Sequence, residues 1–450
     1  MKLTIIGGGG FRVPQIFQAV AGGEPGVTEL CLHDVSAERL TVIRTVLDQL
    51  ADHLPRPPRV TATLDLDEAL RGADVIFSAM RIGGTGGRVQ DEVTALELGV
   101  LGQETVGPGG LAYALRTLPH ARALADRVRR VAPEAWLINF TNPAGIITEA
   151  MRAVLGDQVI GICDTPIGLV RRAARAAGHR PDEVSFDYVG LNHLGWLRSL
   201  EVRGRDVLPG LLAHDERLAG LEEARTLGPA WVRALGALPN EYLFYYYATR
   251  EALAHMRAGG PTRGQYLHEQ QEAFYRAAAR DPEEALAAWD RTRHERESSY
   301  MGETRSPEQR FARAPEDVDD GGYQQVALEL MTALTTGTTT TMILDVGNDS
   351  AGAGLLVHQL PADAVVEVPC TVDGEGVHPH HVAPVAGEMA GLMVQVKTAE
   401  QLALRASTER SAELAWRALA AHPVVDSVAV ARQLLDDYRD RFPELARLLA

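Results

Sequence analysis

Apolar runs alternate with glycine-rich turns and helical segments along the first half of the chain. Residues 3–6 are apolar, glycines follow at 7–10, and 11–20 shows the apolar spacing of a helix. Further apolar runs at 29–34, 60–63, 74–79, 135–140 and 159–163 continue this order, with a helix predicted over 37–54. The alternation predicts a doubly wound, mostly parallel α/β sheet of the Rossmann type.

The pattern changes near residue 200, where helical periodicity becomes dominant. Helices are predicted over 230–236, 240–255 and 266–280, and from about 388 to the end. The β-rich runs 338–346 and 364–372 predict strands of a second sheet. We therefore expect two closely packed domains, with residues 1–195 as a dinucleotide-binding domain and 196–450 as a C-terminal α+β domain.

Composition excludes several classes of protein. The 450 residues are 46% hydrophobic and 23% charged, which is typical of a globular chain, and the net charge of −16 argues against nucleic-acid binding. An anionic substrate would need a local basic site. No apolar run approaches the roughly 20 residues of a membrane span. The start lacks the features of a signal peptide, and three scattered cysteines form no disulfide framework, so we expect a cytoplasmic protein.

The first glycine turn indicates a nucleotide site. Gly7, Gly9 and Gly10 lie between a strand and a helix, the arrangement that presents backbone N–H groups to a pyrophosphate. Arg12 replaces the third glycine of the usual motif. Asp34 ends the next strand at the spacing of a ribose contact, and its charge favours NAD over NADP. The alternative is a plain glycine turn followed by an N-capping Asp34.

Two strand ends carry potential metal ligands. The run 159–163 ends at Cys163 and Asp164, and the run beginning at residue 189 ends at Asn192 and His193. Strand ends of an open α/β sheet are where ligands bind, so Cys163 and His193 are candidates for one metal site. Taken alone, Cys163 is equally well an inert small hydrophobe and His193 a core histidine.

Three further features have competing interpretations. The glycine-rich stretches 81–88 and 102–110 predict a long functional loop, in which Arg88 would clamp an anion or lie on the surface as a solvated side chain. Asn142 either caps the next helix or reaches a ligand. His378, His380 and His381 follow a glycine-rich turn and are interpreted as a surface loop rather than as a metal site.

The chain as a whole resembles glycoside hydrolase family four, whose members depend on NAD and a divalent metal ion. The resemblance rests on ordered motifs that span nearly all of it: the turn at 7–10, the segments 81–92 and 102–110, Asn139-Phe140-Thr141-Asn142-Pro143, Gly161-Ile162-Cys163-Asp164, Leu191-Asn192-His193-Leu194, the pattern from Asn240 to Tyr246, and 365–369. It implies a fold like that of lactate and malate dehydrogenases. Residues 196–450 would then form the domain of the substrate and metal site and of oligomerisation.

The resemblance also implies a redox route to hydrolysis. NAD takes the hydride from sugar C3, a base removes the acidified C2 proton, the aglycone is eliminated, water adds, and the hydride returns. Cys163 and His193 would hold Mn²⁺ or another divalent ion, although softness alone suits this pair to Zn²⁺. Tyr242 matches the C2 base, and Asp164 matches a general acid. Tyr242 also lies among five aromatic residues in six positions, which is a pattern typical of core packing.

Arg88 and Asn142 match positions that the family uses at the sugar 6-phosphate and the adjoining site. The implied substrate is a small phosphorylated glycoside, and the implied assembly is a homodimer or homotetramer. We expect a 6-phospho-β-glucosidase. One alternative is a 6-phospho-α-glucosidase, because an aspartate at the position of Asp164 resembles that branch of the family. The other alternative is an NAD-dependent hydroxy-acid dehydrogenase. An NAD-sensing regulator without an open metal site is a further, non-enzymatic hypothesis.

Overall fold

The strands in the described part of the chain form one mixed sheet. The structure is a computed structural model that describes residues 1–450 except 22, 24–25, 259, 301–321, 351, 353 and 386. The described strands are β1 (Lys2–Ile6), β2 (Glu29–His33), β3 (Arg59–Thr63), β4 (Val75–Ser78), β5 (Trp136–Asn139), β6 (Val159–Gly161), β7 (Ser185–Leu191), β8 (Leu194–Val202), β9 (Arg205–Asp206), β10 (Leu238–Pro239), β11 (Thr340–Gly347), β12 (Val365–Asp373) and β13 (Gly376–Pro379).

Helices cover both faces of this sheet and make up most of the chain beyond β10. They are α1 (Val13–Val20), α2 (Ala37–Ala51), α3 (Leu66–Leu70), α4 (Gly84–Glu97), α5 (Pro108–Val131), α6 (Ala144–Leu155), α7 (Thr165–Ala177), α8 (Leu208–Ala213), α9 (Asp215–Ala219), α10 (Glu222–Leu227), α11 (Pro229–Leu235), α12 (Phe244–Tyr247), α13 (Thr249–Ala258), α14 (Arg263–Arg280), α15 (Ala285–Ser298), α16 (Gly322–Thr336), α17 (Gly387–Glu409), α18 (Ala412–Ala421), α19 (Val428–Arg441) and α20 (Pro443–Leu448). Single 3₁₀ turns lie at Gly156–Gln158, Pro181–Glu183, Glu241–Leu243 and Pro282–Glu284.

The N-terminal part of the sheet has the strand order of a dinucleotide-binding fold. Strands β3-β2-β1-β4-β5-β6 lie side by side in that order and are all parallel. Ile5 of β1 and Ile76 of β4 are fully buried, as expected for parallel strands covered by helices on both faces. The predicted Rossmann-type fold class is confirmed.

The prediction of a second sheet is wrong. Strands β11 and β12 pair with each other and extend the first sheet, because Asp345 of β11 lies opposite Gly161 and Glu367 of β12 lies opposite Gly190. A Cβ on Gly161 would approach Asp345 Cβ to 2.7 Å, so the join requires a residue without a side chain. Periodicity identified these strands but carried no information about their neighbours.

The predicted glycine-rich loop is largely helical. Residues 84–97 form α4, and α5 begins at Pro108. The glycines here allow close packing: a Cβ on Gly109 would lie 2.4 Å from the Gln103 carbonyl oxygen, and one on Gly110 would lie 2.2 Å from that of Thr105. Glycine density therefore misled the prediction: Gly83 and Gly107 have positive φ in the turns before the two helices, but Gly109 and Gly110 serve close packing against backbone.

The single helix predicted over 240–255 is also wrong. A 3₁₀ turn, α12 and α13 follow one another there, and the Asn240 side chain accepts a hydrogen bond from the Tyr242 N–H at the start. His378 belongs to β13 rather than to a loop, and its Nε2 lies 3.1 Å from Asp373. The C-terminal helices α17 to α20 agree with the prediction. Within the described residues, no helix is long and apolar enough to cross a membrane.

Candidate active site

One cavity of about 620 Å³ opens at the carboxyl ends of the parallel strands β1, β4, β5 and β6, where α/β folds bind ligands. Helices α4, α14 and α15 from the rest of the chain contribute to its wall. The cavity is lined by all ten residues that the sequence pointed to: Gly7, Gly9, Gly10, Asp34, Arg88, Asn142, Cys163, Asp164, His193 and Tyr242.

The glycine turn forms one end of the cavity. Gly7 has φ +88°, and a Cβ there would lie 2.5 Å from the Ala79 carbonyl oxygen, so this position requires glycine. The Gly9 N–H donates to Asp34 Oδ2 at 3.0 Å. Asp34 is not the N-cap of α2, because Ser36 occupies that position. The turn and Asp34 thus form one unit that faces the cavity, as a nucleotide site requires.

Cys163 and Asp164 follow directly after β6. Cys163 is buried, and Asp164 is the N-cap residue of α7 but makes no side-chain capping bond. The Asp164 carboxylate is therefore not engaged in capping and lines the cavity. Burial, and next the negative charges of Glu367 and Asp164, raise the pKa of the Cys163 thiol well above its usual value. A thiolate at this position needs a nearby cation.

His193 lies in the tight turn that joins β7 to β8. Leu191 pairs with Leu194, so Asn192 and His193 form a two-residue hairpin turn, and His193 has a φ of +62°. This left-handed conformation is uncommon for residues other than glycine, although Asn, Asp and His adopt it more often than the rest. It holds the imidazole at the cavity wall, where the side chain is 7% exposed.

Hydrogen bonds select one tautomer of His193. Gln103 Oε1 accepts hydrogen bonds from the backbone N–H groups of Thr105 and Val106, which identifies this atom as oxygen. It also accepts a hydrogen bond from the Thr105 hydroxyl, at 3.0 Å. Thr105 Oγ1 must then accept from His193 Nδ1, which lies 2.9 Å away. With the proton on Nδ1, the Nε2 lone pair of His193 is available to a metal ion.

The chemistry of Cys163 and His193 fits a divalent metal ion. Burial lowers the pKa of His193 to about 4, so the imidazole is neutral at pH 7, the form that binds metals. Within the described ranges, no three His, Cys, Asp or Glu side chains are grouped to hold a metal. A site with two protein ligands leaves coordination positions for oxygens of a substrate.

Tyr242 lies directly on the imidazole of His193. The two rings are parallel within 1°, with centroids 3.7 Å apart. The Tyr242 hydroxyl lies 3.3 Å from that of Tyr300, which donates to Glu241 at 2.8 Å. Burial and the charge of Glu241 raise the pKa of Tyr242 well above its usual value. A cation held by His193 would act in the opposite direction and favour the phenolate.

Arg88 is buried on α4, so the alternative of a solvated surface arginine is wrong. Its Nε lies 2.7 Å from Glu92, and its Nη1 lies 2.8 Å from Glu104. Arg81 also contacts Glu104, at 2.7 Å. Burial acts to raise the pKa of Glu104, but the two arginines outweigh it and lower that pKa to about 2. Arg88 thus reaches the cavity as part of a fixed ionic network.

Asn142 also faces the cavity, and it does not cap the helix that follows. Pro143 is the N-cap residue of α6, and the N–H of Ala144 donates to Asn192 Oδ1 at 3.2 Å. Asn192 therefore does the capping from the hairpin that carries His193. Asn142 is left at the cavity wall.

Several cavity residues were missed by the sequence reasoning. Six arginines but three carboxylates line the cavity, so its wall is positive in a protein of charge −16. Burial, and next the charge of Arg12, lower the pKa of the Arg296 guanidinium well below its usual value. Arg263 acts in the same direction. Clustered like charges of this kind are typical of an anion site. No local pattern marks Arg296, which the fold brings in on α15.

Comparison with known proteins agrees with the architecture and the site. The family model described as "Family 4 glycosyl hydrolase" matches residues 2–178, and that of its C-terminal domain matches residues 188–425. The two family models together cover most of the chain and place it in a class of glycosidases. The chain belongs to glycosyl hydrolase family 4, and the predicted resemblance is confirmed.

Relatives with both anomeric preferences match over nearly the whole chain. The maltose-6'-phosphate glucosidase of Bacillus subtilis (strain 168) is 30% identical, with 99% of this chain and 97% of that protein covered. The 6-phospho-β-glucosidase of Thermotoga maritima, solved with manganese, NAD⁺ and glucose-6-phosphate, has a TM-score of 0.80 at 26% identity and 99% coverage of both chains. A 6-phospho-α-glucosidase from gut microorganisms, solved with NAD and Mn²⁺, has a TM-score of 0.81 at 25% identity, with 98% of this chain and 97% of that chain covered.

Proposed function

We propose that the protein hydrolyses 6-phosphorylated glucosides and depends on NAD and a divalent metal ion, with Mn²⁺ as the expected metal. The observation that carries this proposal is the convergence of three features in one cavity: the glycine turn with Asp34, the Cys163–His193 pair, and the arginine-rich wall. Each feature suits one part of a ternary complex of nucleotide, metal ion and sugar phosphate. The Thermotoga maritima relative solved with these three ligands supports the assignment.

The bound groups and the chain have separate tasks in this reaction. NAD would accept and later return the hydride of sugar C3, and a divalent ion would stabilise negative charge on the sugar oxygens O2 and O3. The turn at 7–10 would present N–H groups to the pyrophosphate, and Asp34 would accept from a ribose hydroxyl. Cys163 and His193 would hold the ion, and the stack on Tyr242 keeps the imidazole in place.

Tyr242 and Asp164 are assigned the proton transfers. Once C3 is a ketone, Tyr242 removes the C2 proton, the C1–C2 double bond forms, and the bond from C1 to the aglycone oxygen breaks. Asp164 delivers a proton to that oxygen as it leaves. Water then adds to C1, and the proton returns to C2. The position of Tyr242 on the ring of a metal ligand supports its role as the base.

The 6-phosphate is assigned to the positive part of the wall. Arg88 and Asn142 match the family positions for the sugar 6-phosphate and the adjoining site, and Arg296 adds a charge that its arginine neighbours repel. A phosphate dianion among these guanidinium groups would relieve that repulsion. The proposed site also provides the local basic surface that an acidic protein needs for an anionic substrate.

Arg296→Gln is expected to raise KM for a 6-phosphorylated glucoside about ten- to a hundredfold, because one charge-assisted contact is lost. KM for the unphosphorylated glucoside should hardly change. Arg293→Gln is the matched control: Arg293 lies on the same helix, one turn away, and pairs with Glu297 at 2.8 Å outside the cavity lining. Equal losses on both substrates would assign Arg296 a structural role.

Thr105→Val is expected to weaken Mn²⁺ binding about ten- to a hundredfold, the usual effect of losing an outer-shell partner of a metal-binding histidine. Valine keeps the shape of threonine but cannot accept a hydrogen bond from His193 Nδ1. Thr105→Ser keeps the hydroxyl and should restore binding. Electron paramagnetic resonance titration of free Mn²⁺ measures this affinity directly. Identical affinities of the valine and serine variants would contradict the tautomer assignment.

The test of the proposed function is hydrolysis of p-nitrophenyl α- and β-glucoside 6-phosphates with NAD, Mn²⁺ and a reductant. The β-linked substrate is our first assignment. The α-linked substrate is the second candidate, because the Asp164 carboxylate is not used in capping and is available to protonate a leaving group. Turnover without net NADH accumulation is expected, since the hydride is returned. Stoichiometric NADH would instead indicate the hydroxy-acid dehydrogenase. A reduced protein that binds no metal ion through Cys163 and hydrolyses neither substrate would favour the NAD-sensing regulator.

We propose the domain roles, the assembly and the compartment together with this activity. Residues 1–195 would bind the dinucleotide, and 196–450 would complete the substrate and metal site and carry the contacts of a homodimer or homotetramer. Arg263 and Arg296 of the second region already line the cavity. A reducing cytoplasm is required, because oxidation of Cys163 would destroy a thiolate ligand.

A further inference from the structure

We infer that Glu272 sets the preference for NAD over NADP by neutralising Arg39. This inference rests on the proposed NAD dependence and concerns the end of the cavity that would hold the adenosine ribose. Asp34, Ser36 and Arg39 all line this end. An acidic residue there favours a ribose with a free 2'-hydroxyl, whereas a nearby arginine can bind a 2'-phosphate. The chain has both residues, so their balance decides which cofactor binds.

Arg39 is close to the predicted ribose contact. It lies in the first turn of α2, and its N–H donates to the Ser36 hydroxyl. A Cβ on Gly9 would lie 2.8 Å from Arg39 Cβ and 3.0 Å from Asp34 Oδ2, so both side chains border the same point of the glycine turn. A freely turning guanidinium at this position would be well placed to pair with a 2'-phosphate.

Two residues of α14 hold the guanidinium instead. Glu272 Oε1 lies 2.5 Å from Arg39 Nη2. The Arg39 guanidinium carbon lies 4.3 Å from the centre of the Tyr275 ring, and the Tyr275 hydroxyl donates to the Gly9 carbonyl at 2.7 Å. The helix therefore fixes the orientation of Arg39 and cancels its charge. Asp34 then remains as the uncompensated charge facing the ribose.

The Arg39–Glu272 pair is exposed by about a third on each side. Solvent screening makes such a pair weak in free energy. Its proposed role is selectivity rather than stability: Asp34, Arg39 and Glu272 sum to one negative charge, and without the Glu272 carboxylate the sum would be zero. Replacing that carboxylate with an amide of the same size removes one negative charge and the ionic partner of Arg39, so the guanidinium is free to turn toward a 2'-phosphate.

The test compares the dissociation constants of NADH and NADPH, measured by nicotinamide fluorescence with the full chain at low ionic strength. For Glu272→Gln, we expect the ratio of the NADPH constant to the NADH constant to fall about three- to tenfold. Glu269→Gln is the matched control, because it removes the same charge from an exposed position on the same helix. It should leave the ratio unchanged.

The double variant Arg39→Ala with Glu272→Gln separates the proposed cause from a general charge effect. It should return the ratio to the wild-type value, since no guanidinium remains to bind the 2'-phosphate. A ratio in Glu272→Gln equal to that in Glu269→Gln would overturn the inference, as would a gain that persists without Arg39. Failure of the wild-type chain to bind NADH would instead reject the proposed NAD dependence itself.

Discussion

Cys163→Ser is expected to leave the protein folded but to lower its Mn²⁺ affinity more than a hundredfold and to abolish turnover. This loss exceeds the roughly ten- to hundredfold effect of outer-shell changes, because the thiolate itself is removed. A serine hydroxyl stays protonated at neutral pH and is a poor ligand. Mn²⁺ binding by electron paramagnetic resonance, thermal unfolding and NADH binding together distinguish loss of metal from loss of fold.

Cys370→Ser is the matched control for this experiment. Cys370 is a fully buried thiol in β12, and it does not belong to the cavity lining. Its replacement should leave Mn²⁺ affinity near the wild-type value. Full activity of Cys163→Ser with normal Mn²⁺ binding would show that the thiol is structural, which is the alternative that the sequence left open.

Metal binding should also depend on pH in a defined direction. The raised pKa of Cys163 means that binding must displace the thiol proton, so Mn²⁺ affinity is expected to increase about tenfold per pH unit between pH 6 and 8. His193, with a pKa of about 4, is already neutral there and adds nothing to the slope. In Cys163→Ser the slope should disappear. A pH-independent affinity in the wild-type chain would contradict thiolate ligation.

The fold of the N-terminal half was predictable because its signals are local. The run 3–6, the glycine turn and the acid at residue 34 each report on their own neighbourhood, and the structure keeps their order. The join between β6 and β11 was not predictable, since it depends on Asp345 meeting a glycine 184 positions away. Helix α4 was missed because its glycines have low helix propensity, and the side chains of Arg116 and Phe442, which pack beside Gly87, are distant in sequence.

The candidate site was predicted unevenly. Strand ends pointed to Cys163 and His193 as a pair, and both side chains line the cavity. Only Cys163 follows a parallel strand, because His193 lies in the turn of the antiparallel hairpin β7–β8, which the sequence did not predict. The partners that orient His193 could not be derived, because Gln103 and Thr105 act through a hydrogen-bond chain across the fold. Tyr242 was singled out through the family resemblance, since an aromatic run has the same pattern in a core and in an active site.

Tyr242→Phe is expected to reduce turnover by about 10²–10⁴, the usual range for removing a general base, while the protein stays folded. Phenylalanine keeps the ring that stacks on His193 at 3.7 Å but lacks the oxygen that would take the C2 proton. Hydrolysis in deuterated water should place deuterium at C2 of the product sugar with the wild-type enzyme. In the variant, the rate of exchange at C2 should fall in parallel with the rate of turnover.

A thioglycoside 6-phosphate adds a second test of the same mechanism. Elimination next to a C3 ketone depends little on leaving-group basicity, so the wild-type enzyme should cleave the sulfur-linked substrate, and Tyr242→Phe should lose this activity in the same proportion. Tyr246→Phe is the control: Tyr246 lies in the same aromatic run, stacks on His422 with ring centroids 6.0 Å apart, and is outside the cavity lining. If Tyr242→Phe and Tyr246→Phe both turn over at nearly the wild-type rate, Tyr242 is a packing residue. If the wild-type product lacks deuterium at C2, the redox–elimination route is rejected, provided that the proton taken by the base exchanges with solvent before it returns to C2.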